Sequence, residues 1–199
     1  MNSTPHSPQT LERFLDVLLD DVAPLTRAGV GSGNKLFGAA IVRKSDLALV
    51  IAATNAETEN PLWHGEVTCL NAYWALDVTK RPPPKDCYFL STHEPCSLCL
   101  SAITWSGFDN FFYLFSYEDS RDLFAIPHDL RILEEVFACK NGGYKSENAY
   151  WRAYALKDLI LKAGPTPGTE KKLARLADMY GQFSADYQSR KGTAGIPLT

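Results

Sequence analysis

Pro61-Leu62-Trp63-His64-Gly65-Glu66 is answered, about 30 residues downstream, by Thr92-His93-Glu94-Pro95-Cys96-Ser97-Leu98-Cys99. Between them the two segments supply one imidazole, two thiols and a carboxylate. His64, Cys96 and Cys99 are three donors of the kind zinc prefers. Three protein ligands leave one coordination position open, which is the arrangement of a catalytic rather than a structural Zn2+ site. Glu66 is not needed as a ligand and can carry protons. Each piece has a plainer reading. A lone histidine is usually just a histidine, and a lone C-x-x-C also occurs in redox and structural sites. A closed structural site would need a fourth ligand, for which Cys69 or His93 is available. The joint pattern, with Pro95 beside the thiols and Glu66 beside the imidazole, fits the open site better.

The spacing constrains the local geometry. Each helical step turns about 100°, so residues two apart point about 200° away from each other. His64 and Glu66 can face one metal only if His64 sits at the irregular start of a helix. Pro61 biases Asn60 away from helical angles and predicts a helix from Leu62 or Trp63 to about Leu76. Cys96 and Cys99 are three apart and share a helical face. Pro95 suits a helix start, and the positive end of a helix dipole favours thiolates.

Outward from these segments the pattern alternates strands and helices, the mark of an α/β layered domain. Leu11, Phe14, Leu15, Leu18 and Leu19 recur at helical spacing, predicting an amphipathic helix over Leu11 to Ala23 with Thr10 as its cap. Pro24 and the glycine-rich stretch after it are expected to end that helix. Leu36 to Val42 and Leu47 to Thr54 read as a hairpin. Asp86 to Thr92 and Asn110 to Ser116 read as further strands. Pro95 to Ser106, Asp129 to Phe137 and Glu147 to Ala163 read as helices. After the breaker Pro165-Thr166-Pro167-Gly168, Leu173, Leu176, Tyr180, Phe183 and Tyr187 form a stripe on a final helix. That stripe packs on its own subunit or, in a sharper reading, on a second one. Gly192 to Thr199 is expected to fray. The division predicted is a domain over residues 1–164 and a C-terminal helical extension over 165–199.

The chain has 199 residues, 45% of them hydrophobic, with 10 Phe, 9 Tyr and 4 Trp, enough for one globular core. No apolar run approaches the ~20 residues that span a bilayer, so no membrane partner is expected. The polar start, Met1 to Thr10, lacks the basic and apolar stretches of a secretory signal, which makes the cytoplasm the default. Five cysteines, an odd number, argue against a disulfide framework. Net charge is −3 with no long basic cluster. A polynucleotide-binding face is usually basic, so nucleic acid is an unlikely partner and a small-molecule substrate is favoured.

The H-x-E…P-C-x-x-C pattern is the signature of zinc deaminases acting on nucleobases. Together with Leu36-Phe37-Gly38-Ala39-Ala40-Ile41-Val42, Thr54-Asn55 and Ala102-Ile103-Thr104-Trp105-Ser106-Gly107, it makes the chain resemble the cytidine deaminase superfamily over roughly residues 10–140. The resemblance is to the nucleobase branch, which includes guanine, cytosine and tRNA adenosine deaminases. It implies a three-layer α/β/α fold with a central mixed sheet of about five strands and an extra C-terminal helical segment. It also implies hydrolytic release of ammonia from a free aminated heterocycle, first a purine such as guanine. Cytosine or a (deoxy)nucleoside comes next, then tRNA adenosine, then a non-catalytic deaminase-shaped scaffold. Zn2+ is the cofactor, Glu66 the catalytic proton carrier, and a homodimer the expected assembly. Phe37 would lie against the base or serve the core, and Asn55 would bind the ring edge or make a turn. Trp63 would wall the pocket or anchor the helix entry, and His93 would touch substrate or make a structural hydrogen bond. Gly65 stands where this branch usually has alanine, which either enlarges the pocket or permits a close backbone approach. An acid beyond the fourth strand (Asp119, Asp122 or Asp129) would assist proton traffic.

Overall fold

The computed structural model describes residues 7–199. Five strands form one mixed sheet: β1 (Gly38–Arg43), β2 (Leu49–Thr54), β3 (Cys87–His93), β4 (Asn110–Phe115) and β5 (Arg152–Ala155). Their order is β2-β1-β3-β4-β5. β1 is antiparallel to both β2, as the hairpin expectation required, and β3. β3, β4 and β5 run parallel.

Helices cover both faces. In chain order they are α1 (Pro8–Asp16), α2 (Ala23–Gly31), α3 (Gly65–Ala75), α4 (Ser97–Trp105), α5 (Tyr117–Asp122), α6 (His128–Phe137), α7 (Leu156–Ala163) and α8 (Pro167–Arg190). Alternation along β1 sends Ala39 and Ile41 to one face and Ala40 and Val42 to the other. The first face packs with Phe89 and Phe111 against Cys69, Leu70 and Tyr73 of α3 and Leu100 and Ile103 of α4. The second packs with Leu90 and Phe112 against Phe14 of α1, Ile160 of α7, and Leu176 and Tyr180 of α8. The result is the three-layer α/β/α arrangement. The aromatic and leucine stripe of α8 is buried against its own chain: Leu176, Tyr180, Phe183 and Tyr187 all belong to that core.

The structure departs from the sequence reading at several places. The first helix is capped by Ser7, whose Oγ accepts from the Thr10 N–H, rather than by Thr10. It does not end at Pro24. A π-helical turn (Val17–Val22) joins α1 to α2 without a break, and Pro24 sits directly after that wider turn, at the second residue of α2. Arg152–Ala155, inside the expected helix from Glu147 to Ala163, is strand β5, and only the part from Leu156 onward is helical. The stretch Gly192 to Thr199 is not simply frayed, because Ile196 is buried. Residues 1–6 of the polar start lie outside the described residues. Among the described residues no helix is long and apolar enough to cross a membrane.

Candidate active site

Two helix starts meet at the site. His64 is the N-cap of α3 and Cys96 the N-cap of α4, both with extended backbone, so both side chains escape the helical repeat. Pro95 therefore stands one residue before the cap rather than inside the first turn. His64 Nδ1 lies 3.4 Å from Cys96 Sγ and 3.7 Å from Cys99 Sγ, and the two sulfurs are 3.6 Å apart. A tetrahedral zinc with Zn–S of about 2.3 Å and Zn–N of about 2.0–2.1 Å separates its donors by about 3.5–3.8 Å. The triangle fits that ion. No fourth His, Cys, Asp or Glu among the described residues joins the cluster. Cys69 is buried nearby, and burial pushes its thiol far up, away from the thiolate a ligand must be. One corner of the tetrahedron is left open.

The electrostatics of the donors call for a cation. Cys96 is held well below an ordinary thiol by its hydrogen-bond contact with Cys99 and by His64, against the cost of burial. Burial pushes Cys99 well up, as do the charges of Cys96 and Glu66. Burial opposes a proton on His64, yet the contact with Cys96 and the charges of Cys96, Glu57 and Glu66 outweigh it and raise its pKa to about 9. The negative charge gathered around the imidazole and the two sulfurs suits a cation. Both helix dipoles point their positive ends at the site.

Glu66, in the first turn of α3, is almost fully buried. Its Oε1 accepts from Ser91 Oγ at 2.7 Å, and its Oε2 accepts from Cys99 Sγ at 3.3 Å. Burial and the neighbouring Cys96 raise its pKa. The carboxyl stands beside the donor triangle and is not one of its three donors.

This geometry has counterparts. Residues 17–115 match the family described as the cytidine and deoxycytidylate deaminase zinc-binding region. A guanine deaminase from Bacillus subtilis (strain 168) is 33% identical over 112 residues, which are 56% of this chain and 68% of that relative. The chain belongs to the cytidine deaminase superfamily, in its nucleobase branch. The solved structure of the Bacillus subtilis enzyme aligns over 53% of this deaminase and 66% of its own chain, at 30% identity and a TM-score of 0.43. A guanine deaminase from Nitrosomonas europaea shares the fold at 18% identity, covering 88% of this chain and 85% of its own with a TM-score of 0.52. A structure solved in complex with 8-azaguanine aligns at 18% identity over 84% and 86% of the two chains, with a TM-score of 0.53.

Other residues of the deaminase singled out from its sequence fall into place unevenly. Phe37 is buried just before β1, edge-on to the His93 ring at 4.7 Å. His93 does not reach an open pocket. It is enclosed by Phe37, Phe115, Phe124 and Tyr180, with Nδ1 2.9 Å from Thr92 Oγ1. The ring closes the aromatic core beneath Phe37. Asn55 is buried; its Nδ2 donates to Glu57 and its Oδ1 accepts from the Gly65 N–H, leaving one N–H and one lone pair uncommitted. Trp63 is half-buried at the mouth of α3. Gly65 is explained by close approach: a Cβ there would stand 2.6 Å from Phe37 O and 2.8 Å from Gly38 Cα.

Among the three candidate acids beyond β4, Asp119 accepts from the N–H of Ser116, the N-cap of α5, and pairs with Lys157, and Asp122 is exposed beside Arg121. Asp129 is the buried one. Its carboxyl is pushed well up by burial and feels the charges of Cys96, His64, Glu66 and Lys35. Sequence reasoning missed Ser91, Lys35 and Glu57. Strand alternation could have found Ser91, which shares the face of Phe89 and so looks toward α3. No sequence signal marks the other two.

Proposed function

We propose that this chain catalyses the hydrolytic deamination of guanine, replacing the exocyclic amine by a carbonyl and releasing ammonia. The observation that carries the reading is the buried Glu66 carboxyl beside, and outside, a three-donor triangle that suits zinc and leaves a corner open. The identity with a guanine deaminase supports the choice of base. When bound, zinc supplies a Lewis acid that makes water an available nucleophile near neutral pH.

Glu66 does the proton work. Its Oε2 takes one proton of the attacking water and passes it to a ring nitrogen, then takes the remaining proton of the added hydroxyl and gives it to the departing amine as the C–N bond breaks and the carbonyl forms. Ser91 keeps Oε1 anchored so that Oε2 faces the reacting atoms. Asp129, the buried one of the three acids beyond β4, assists Glu66. Phe37 gives the base a flat apolar surface, the uncommitted edge of Asn55 meets the ring, and Trp63 walls the entrance. Gly65 lets α3 approach β1 closely enough for these groups to converge. His93 acts by backing Phe37 rather than by touching the base.

Residues 1–164 form the deaminase domain in this reading, and 165–199 a helical extension whose α8 shares its core. The working unit is a homodimer. Trp105, 91% exposed, and Leu98 lie on α4, the helix that carries Cys99, and Trp74 lies exposed on α3. The cytoplasm suits the site, since two sulfurs 3.6 Å apart must stay reduced to bind metal.

The test is ammonia release by the zinc-loaded protein over guanine, cytosine, adenine and their nucleosides, with size measured in solution. Guanine is expected to turn over, and Glu66→Gln to keep its zinc while losing about 10²–10⁴-fold in rate. Turnover unchanged in that variant would defeat the mechanism. Turnover confined to another base would defeat the substrate assignment.

A further inference from the structure

Lys35 and Glu57 belong to no motif, yet they are only 5% and 3% exposed. Lys35 lies just before β1, and Glu57 lies in the connection from β2 to α3. Lys35 Nζ donates to Glu57 Oε1 at 2.8 Å. The same oxygen stands 3.7 Å from His64 Nε2, the ring nitrogen opposite the one that faces the sulfurs. The other oxygen, Oε2, accepts from Asn55 Nδ2 at 2.5 Å. Asn55 Oδ1 in turn accepts from the Gly65 N–H at the first turn of α3. One carboxylate thus stands 3.7 Å behind the imidazole of His64 and, through a single amide, holds the backbone that carries it.

An ion pair taken out of water is costly and does not by itself stabilise a fold, so a buried pair in this position calls for a role. Two pieces of chemistry supply it. A ligating histidine gives its second N–H to a partner that fixes its tautomer and ring angle. A carboxylate accepts hydrogen bonds and cannot donate them, so Glu57 forces Asn55 to present Nδ2 to it and Oδ1 to Gly65. The amide then has one orientation, and its remaining N–H and lone pair have fixed directions.

We propose that Glu57 is a positioning residue: its carboxylate sets the His64 imidazole for the metal and the Asn55 amide for the base, while Lys35 balances its charge. The inference rests on the deaminase reading above but is tested without turnover. Zinc affinity is measured by chelator competition on the full chain, wild type against Glu57→Gln and the double variant Lys35→Met/Glu57→Gln, with thermal unfolding in parallel. The His64 Nε2–H signal of the zinc-loaded protein is followed by 15N-resolved NMR.

Glu57→Gln is expected to weaken zinc binding about 10–100-fold and to speed exchange of that proton. The double variant removes both charges of the pair together. It is expected to recover the thermal stability lost in Glu57→Gln without recovering zinc affinity, and it keeps the test alive if the single variant folds poorly. Wild-type zinc affinity in both variants, with an unchanged Nε2–H signal, overturns the inference and leaves the deaminase reading intact. A wild-type protein that binds no zinc overturns the deaminase reading itself.

Discussion

Acid should destabilise this protein through His93, and the size of the effect follows from where the ring sits. His93 is 1% exposed, and its Nε2 has no hydrogen-bond partner among the described residues. Burial, reinforced by the charge of Lys157, lowers its pKa from 6.5 to about 3. The folded state therefore keeps the ring neutral, while the unfolded chain takes up a proton below pH 6.5. Between pH 6.5 and about 3 the unfolded state binds more protons, so stability falls as pH falls through that window. Each unit is worth about 1.4 kcal/mol once the unfolded histidine is fully protonated. From pH 8 to pH 5 the loss is about 2 kcal/mol, or about 4–8 °C in Tm for a chain of this size. His93→Phe keeps a flat ring in the aromatic enclosure and removes the titration. Whatever the substitution costs at pH 8, the variant should gain about 4–8 °C on the wild type by pH 5 in differential scanning calorimetry. Metal loss at low pH affects both proteins and cancels in that difference. Parallel Tm profiles for the two proteins would refute the argument.

Three further outcomes are expected. Gly65→Ala, although it restores the residue usual in the branch, drives a Cβ to 2.6 Å from Phe37 O; urea unfolding should show a loss of about 1–3 kcal/mol and zinc titration a weaker site, whereas a stabilised variant would contradict the close-approach reading. Tyr144→Phe removes the 2.7 Å hydrogen bond to the buried Glu94 carboxyl, just before Pro95; a loss of about 1.5–3 kcal/mol is expected, and an unchanged urea midpoint would show the bond to be immaterial. Stripping zinc with a chelator should lower Tm, and re-adding zinc to about 100 times its Kd should restore about 2.7 kcal/mol. An unresponsive Tm would mean that the three donors do not hold an ion.

The zinc centre was legible because ligand chemistry ties residue type to spacing. Pro61 pointed to a helix start near His64, and the structure puts the start one residue after it. The hairpin was legible too, since two apolar runs flank a short polar turn. β5 was not. Arg152-Ala153-Tyr154-Ala155 is a short strand at the sheet edge with an exposed or half-exposed face, and it runs directly into α7, so its period is hidden inside a helical one. The continuity of α1 into α2 was hidden in the same way, because Pro24 reads as a stop unless a π-turn precedes it.

His64, Cys96 and Cys99 could be named from the chain alone as a possible zinc site, with Glu66 beside it, because such a site demands particular side chains at short, fixed separations. Lys35, Glu57 and Ser91 reach the site from three separate segments, and the buried Asp129 feels its charges from a fourth. Their meeting depends on the packing of the loops that precede β1 and α3, on strand β3 and on α6. Long-range convergence of this kind leaves no local trace, since each of these residues would be an ordinary surface or strand residue in most folds. Burial and proximity, which only the folded chain creates, turn them into parts of one electrostatic unit around the three donors.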